Sequence, residues 1–246
     1  MKKAFAFFIA IAGIFSAVLP LMADYGIEWA YTVSDGKASV RGGFIFIVEE
    51  PIDRLPLTGA ITIPSTLGGK PVTSIGDSAF LGCDGLTSVT IPDGVTSIGD
   101  SAFRDCYGLT SVTIPNSVTS IGRRAFYGCR GLTSVAIGNG VKNIGSYAFY
   151  NCSGLTDVTI PDGVTNIETS AFYGCSDLMS VVIPGSVKSI GSFVFYNCSG
   201  LTNVTIPDGV TNIENSAFYN CSGLTSVTIP GSVTRIGYNA CLFRGL

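Results

Sequence analysis

The chain has 246 residues, a formal net charge of −3, 31 glycines, only 13% charged residues and no histidine. The missing histidine removes Ser-His-Asp and Cys-His catalysis together with the commonest transition-metal ligand. The acidic balance argues against a nucleic-acid partner, which calls for a basic face.

At the start of the chain, Lys2 and Lys3, the apolar run from Ala4 to Val18 and the stretch LPLMA predict a secretory signal over residues 1–23. The run is shorter than the roughly 20 residues of a spanning helix and no stop-transfer charges follow it, so no membrane span is expected after cleavage. Loss of Lys2 and Lys3 would take the Lys and Arg count from 14 to 12 against 17 acids, a net charge of −5. The expected localisation is secreted or cell surface.

Residues 24–56 read as an N-terminal capping region. Trp29, Tyr31 and Val33 alternate, Asp35-Gly36 marks a hairpin turn, and Ala38 and Val40 begin a return strand. A longer loop with five extra residues between Pro64 and Val72 leads into the array.

From Val72 to Val233 the sequence repeats without insertion every 23 residues as V-x-x-I-G-x-x-A-F-x-x-C-x-x-L-x-x-V-x-I-P-x-x. Phenylalanine holds the step from Phe80 to Phe218, and cysteine holds it at Cys83, Cys106, Cys129, Cys152, Cys175, Cys198 and Cys221. A period this strict predicts a solenoid in which each unit buries its apolar edge only against its neighbours. Residues 57–246 then form about eight units, the last incomplete.

Within a unit, LTSVTIP alternates and is β-branched, so it predicts a short strand with Leu86, Val89 and Ile91 inward and Ser88 and Thr90 outward. The same reading extends to the copy ending in Ser226 and Thr228. VTSIG predicts a second extended piece with Val95 and Ile98 inward. The SAF stretch is expected to make a helical or 3₁₀ turn that inserts Ala102 and Phe103. Strands stacked about 4.8 Å apart over eight units give a rod on the order of 40 Å long.

Copies such as LTSVTIPDGVTSIGDSAFRDC resemble the BspA-like, treponemal-type leucine-rich-repeat family, whose unit is L-x-x-I-x-I-P-x-x-V-x-x-I-G-x-x-A-F-x-x-C. The resemblance covers residues from about 57 to 243. It implies a right-handed leucine-rich-repeat coil of 23-residue units with short parallel strands, on a secreted or surface-exposed protein that serves adhesion or protein binding.

The cysteines fall in one repeated slot beside a core Phe, which predicts a column of small buried hydrophobes. A disulfide framework would require stacked parallel side chains to rotate toward each other, and a linear column cannot converge on zinc. No cofactor is expected. Glu168 and Glu214 replace the usual Gly at places 46 residues apart, a pattern that a two-unit duplication explains better than a carboxylate pair.

Two features point outward toward a partner. Two residues ahead of the cysteine in five successive units, Tyr127, Tyr150, Tyr173, Tyr196 and Tyr219 form a stripe of the kind enriched at interfaces and useful against sugar rings. Arg104, Arg123, Arg124 and Arg130 cluster in two adjoining units as a basic patch. The sequons at Asn151, Asn197, Asn203 and Asn220 matter only in a glycosylating host.

These readings converge on a non-catalytic module that binds a protein or glycan on a host or neighbouring cell surface through an extended face. A glycan-binding adhesin using the Tyr stripe is one alternative. A structural spacer that self-associates through its weakly capped end is another.

Overall fold

The computed structural model describes residues 9–11, 14–16, 19–20, 27–45 and 57–241. Of the expected signal over residues 1–23, the described parts are the short strands Ile9–Ile11, Ile14–Ser16 and Leu19–Pro20, paired antiparallel with each other or with Ile27–Ser34. The rest of that segment lies outside the described residues, as do residues 46–56 of the expected cap.

Ile27–Ser34 and Lys37–Ile45 form an antiparallel hairpin closed at Asp35-Gly36, where both residues take positive φ. Trp29, Tyr31, Ala38 and Val40 are buried, whereas Val33 beside the turn is exposed. The hairpin joins the array through Lys37–Ile45, which lies parallel to Lys70–Ile75. Trp29 meets the first core phenylalanine, Phe80, edge to face at 6.2 Å. The five extra residues after Pro64 fold as a small hairpin, Thr66–Leu67 against Lys70–Ile75.

Beyond this point each unit except the last contributes one strand to each of two parallel sheets. One sheet has seven strands, from Gly59–Thr62 through Leu86–Thr90 to Asn203–Thr205. The other carries two-residue strands from Ser97–Ile98 to Arg235–Ile236. The register is the sequence period itself: Ser111 pairs with Ser88 and Ser134, and Ile121 pairs with Ile98 and Ile144. Within Leu86–Thr90, Leu86 and Val89 are buried and Thr87 and Thr90 are exposed; the alternation runs from Ser88 to Ile91, and the irregular register at Thr87 brings Leu86 inward as well.

The repeated threonines hold neighbouring rungs together. The hydroxyls of Thr110 and Thr133 each donate to the carbonyl of the threonine one unit earlier at 3.1 Å, and Thr96 and Thr119 do the same on the other sheet. A β-branched hydroxyl thus serves strand propensity and also gives the exposed face a hydrogen bond to the preceding rung.

The third side corrects the expectation of a helical or 3₁₀ turn, since no helix occurs among the described residues. Gly99 to Cys106 instead makes successive turns, with Ala102 N–H donating to Gly99 O and Arg104 N–H to Ser101 O. These turns also bond to the next unit: Ser101, Phe103 and Asp105 N–H donate to the carbonyls of Arg123, Ala125 and Tyr127 at 2.7 to 2.8 Å. Left-handed residues at Ser101 (φ 55°) and Asp105 (φ 59°) turn alternate amides toward the next rung. A helix would spend those amides within the unit, and the ladder between units would be lost.

A second correction concerns the far end. Leu224 to Pro230 repeats the residues of Leu86 to Pro92 but forms no strand, and Val227 and Ile229 are only partly buried.

The core is a set of columns. Phe80, Phe103, Phe126, Phe149, Phe172, Phe195 and Phe218 are fully buried and stack on each other with centroids 4.9 to 5.6 Å apart. The seven repeat cysteines are buried and free beside them. From Cys106 to Cys221, each Sγ–H donates to the carbonyl of the Phe 26 residues earlier, at 3.0 to 3.2 Å. A small thiol fills the slot and also satisfies a buried carbonyl.

Candidate functional face

The turns place residues 104, 127, 150, 173, 196 and 219 in one column on the third side. The five tyrosines are half-buried, and consecutive rings stack at 4.6 to 4.9 Å with interplanar angles of 13° or less. Because each ring face lies against the next ring, the stripe shows the outside its ring edges and phenol groups. Sugar recognition by stacking uses open ring faces, so this geometry does not favour the glycan use of the stripe. Ring edges are the positive part of the aromatic quadrupole, and the stripe therefore presents a weakly electropositive surface. Burial, followed by the neighbouring phenols, raises the pKa values of Tyr150 and Tyr173, so both stay protonated at neutral pH.

Each of the four arginines lies over an aromatic ring, and for Arg104, Arg123 and Arg124 that ring belongs to the stripe or touches it. Arg104 occupies the stripe position one unit before Tyr127 and lies over that ring at 5.3 Å. Arg123 and Arg124 lie 5.8 and 5.6 Å from the Tyr147 ring, and Arg130 lies 5.7 Å from Tyr107. Arg104 is also paired with Asp105 at 3.1 Å. Arg123, Arg124 and Arg130 have no carboxylate partner among the described residues, and the buried Nε of Arg124 has no hydrogen-bond partner there.

Two aromatic residues of this face were not singled out from the sequence, Tyr147 and Phe193, nor was Tyr107, which meets Arg130. Tyr147 and Phe193 lie tilted against Tyr150 and Tyr196 at 5.8 Å. Both occupy a left-handed position, φ 62° and 59°, where neighbouring units place Ser170 and Ser216. Bulky side chains are uncommon there, and that departure was the available signal.

Glu168 and Glu214 diverge despite their matched positions. Glu168 accepts bonds from Asn143 Nδ2, Ser146 N and Ser146 Oγ, at 3.0, 2.9 and 2.7 Å. Burial opposes its ionisation, but these bonds outweigh that effect and hold its carboxyl below the usual range. Glu214 has Ser189 where Glu168 has Asn143, and its recorded ion contact is Arg235 at 4.0 Å. The two carboxylates flank an open groove of about 320 Å³ at Gly191. The first locks adjacent units together, and no group of three or more possible metal ligands occurs among the described residues.

The model of the BspA type leucine rich repeat region matches residues 60–178 and 119–244, with 6 copies. Among solved structures, the chain is similar to a leucine-rich repeat protein from Bacteroides ovatus, with 32% identity and a TM-score of 0.75. That match covers 88% of this chain and 55% of the other. A leucine rich repeat protein of T. pallidum matches at 26% identity and TM-score 0.70, over 80% of this chain and 88% of its own. A leucine rich cell surface protein from Faecalibacterium prausnitzii matches at 35% identity and TM-score 0.59, over 91% of this chain and 52% of its own. The chain thus spans about half the length of the Bacteroides and Faecalibacterium proteins. No curated protein matches it.

Proposed function

The chain belongs to the BspA-type leucine-rich-repeat family, and from that premise we propose that it is an exported, surface-exposed module that binds a partner protein through its third side. The face is made of Tyr127, Tyr150, Tyr173, Tyr196 and Tyr219 with Arg104, Arg123, Arg124 and Arg130, and its role is non-catalytic. Residues 1–23 serve as the export signal in this reading. The observation that carries it is the rigid column of five tyrosines at 4.6 to 4.9 Å spacing, with arginines that lack carboxylate partners beside it.

Tyrosine and arginine are the residues that most often dominate protein interfaces, and stacked rings lose little further conformational freedom on binding. Ring edges, phenol donors and guanidinium groups together favour an acidic protein surface. The partner belongs to a host or neighbouring cell.

Replacing Tyr150, Tyr173 and Tyr196 together by Ser is expected to weaken binding to cells by at least about tenfold while circular dichroism stays that of the parent. Undiminished binding by the folded triple variant refutes the assignment of the stripe.

A further inference from the structure

An open groove of about 550 Å³ lies away from the stripe, on the outer face of the seven-stranded sheet, and crosses the first three complete units. One wall carries Thr90, Thr113 and Ala136, and the other carries Asp93, Asn116 and Asn139. Between them Ile114 and Pro115 lie buried, and Ile137 is half-buried.

The groove exists because the third unit departs from its neighbours. Where the two preceding copies read VTIPDG (89–94) and VTIPNS (112–117), residues 135–140 read VAIGNG. Ala136 puts a methyl where Thr90 and Thr113 put branched side chains, and it stands exposed. Gly138 replaces proline at a close approach of two rungs, since a Cβ there would lie 2.6 Å from the Pro115 carbonyl carbon. The backbone of the third unit therefore settles onto the second with no side chain at that point. Asn116 Oδ1 accepts the Asn139 N–H at 2.9 Å, which fixes the orientation of its amide.

We propose that this groove binds a neutral, linear oligosaccharide. Its walls offer hydroxyl, amide and carboxylate groups in a row, which suits the paired hydroxyls of a sugar, and the exposed Ala136 methyl beside half-buried Ile137 suits the C–H face of a pyranose ring. The lining contains no cation and a single carboxylate, Asp93, so an acidic glycan finds no counter-charge. An extended peptide is a poorer occupant, because the backbone groups of these strands are already paired in the ladder and no free edge remains for strand addition. The rungs recur about every 4.8 Å, comparable to the rise of one pyranose along a linear chain, so successive sugars meet equivalent wall positions.

The inference is independent of the stripe. Its test is titration calorimetry of the whole protein with cellohexaose, xylohexaose, mannohexaose and maltohexaose, with hexagalacturonate as the acidic counterpart. At least one neutral hexasaccharide is expected to bind saturably. Ala136→Gln and Thr113→Gln, both exposed substitutions that fill the groove, are expected to weaken that binding by at least about tenfold, and Tyr173→Ser is expected to leave it unchanged. Two filling variants are used so that a folding failure of one leaves the other decisive. The proposal is overturned if no neutral hexasaccharide binds, if a folded filling variant binds like the parent, or if hexagalacturonate binds at least as tightly.

Discussion

Raising the pH through the alkaline range is expected to unfold the protein steeply, beginning near pH 9 and running to about 12. Burial pushes all seven repeat thiols above their ordinary value of 9.0, Cys129 and Cys221 to about 12. Below pH 9 the thiols are protonated in both folded and unfolded chains, and their contribution to stability is complete. Above it the unfolded chain ionises first, so stability falls until the folded values are passed. Each thiol that is ionised in the unfolded chain and protonated in the folded one removes about 1.4 kcal/mol of stability per pH unit over that window. The cause is burial, which denies a thiolate its water; from Cys106 to Cys221 the protonated Sγ–H also donates to a buried phenylalanine carbonyl, a bond that ionisation would break. Calorimetry in reductant at pH 8, 9.5 and 10.5 should show Tm falling with increasing slope, and the double variant Cys129→Ala, Cys152→Ala should flatten part of it. A Tm that stays constant to pH 10.5 contradicts the buried column.

Phe149→Ala is expected to cost about 3 to 5 kcal/mol, the range for deleting a large buried aromatic side chain. Its ring stacks on Phe126 and Phe172, both at 5.2 Å, so the substitution removes two stacking contacts and opens a cavity mid-array. In a solenoid each unit depends on its neighbours alone, and a weakened interface at the centre divides the cooperative unit. Denaturant unfolding should therefore show a lowered midpoint and a broadened or split transition. The recorded ring partner of Phe218 is Phe195 alone, at 5.4 Å, and Phe218→Ala should leave a single transition. An unsplit curve with less than about 1 kcal/mol of loss for Phe149→Ala would contradict the stacked core.

Much of the fold was legible because the period is also the register. Once residues recur every 23 positions with no insertion, every column from Phe80 to Leu224 follows, and so do the two strands per unit. The third side was misread because a short apolar stretch ending in Ala-Phe satisfies a helical turn as readily as a chain of left-handed bends. A distinguishing signal was present one residue before each cysteine, where Gly82, Asp105, Gly128, Asn151, Gly174, Asn197 and Asn220 all adopt positive φ. Glycine, asparagine and aspartate are the residues that tolerate that region.

The lost strand after Leu224 could not be read from local sequence at all. LTSVTIP is paired on both sides at Leu86, by Gly59–Thr62 and Ser111–Ile114, and is not a strand at Leu224. Tertiary context decides between identical heptapeptides. The tyrosine positions were equally plain, but spacing alone does not say that the rings face one another. In our proposal the sugar site is instead the groove, whose signal in the sequence was the VAIGNG departure in the third unit.

The central claim is that the third side, with its tyrosine column, is the face that meets a protein partner. Site-specific cross-linking tests it most directly, with p-benzoylphenylalanine placed at Tyr173 on the stripe and, separately, at Thr159 on the sheet face. On irradiation with target cells, the account predicts a protein adduct from position 173 and none from position 159. An adduct from position 159 with none from position 173 would contradict it.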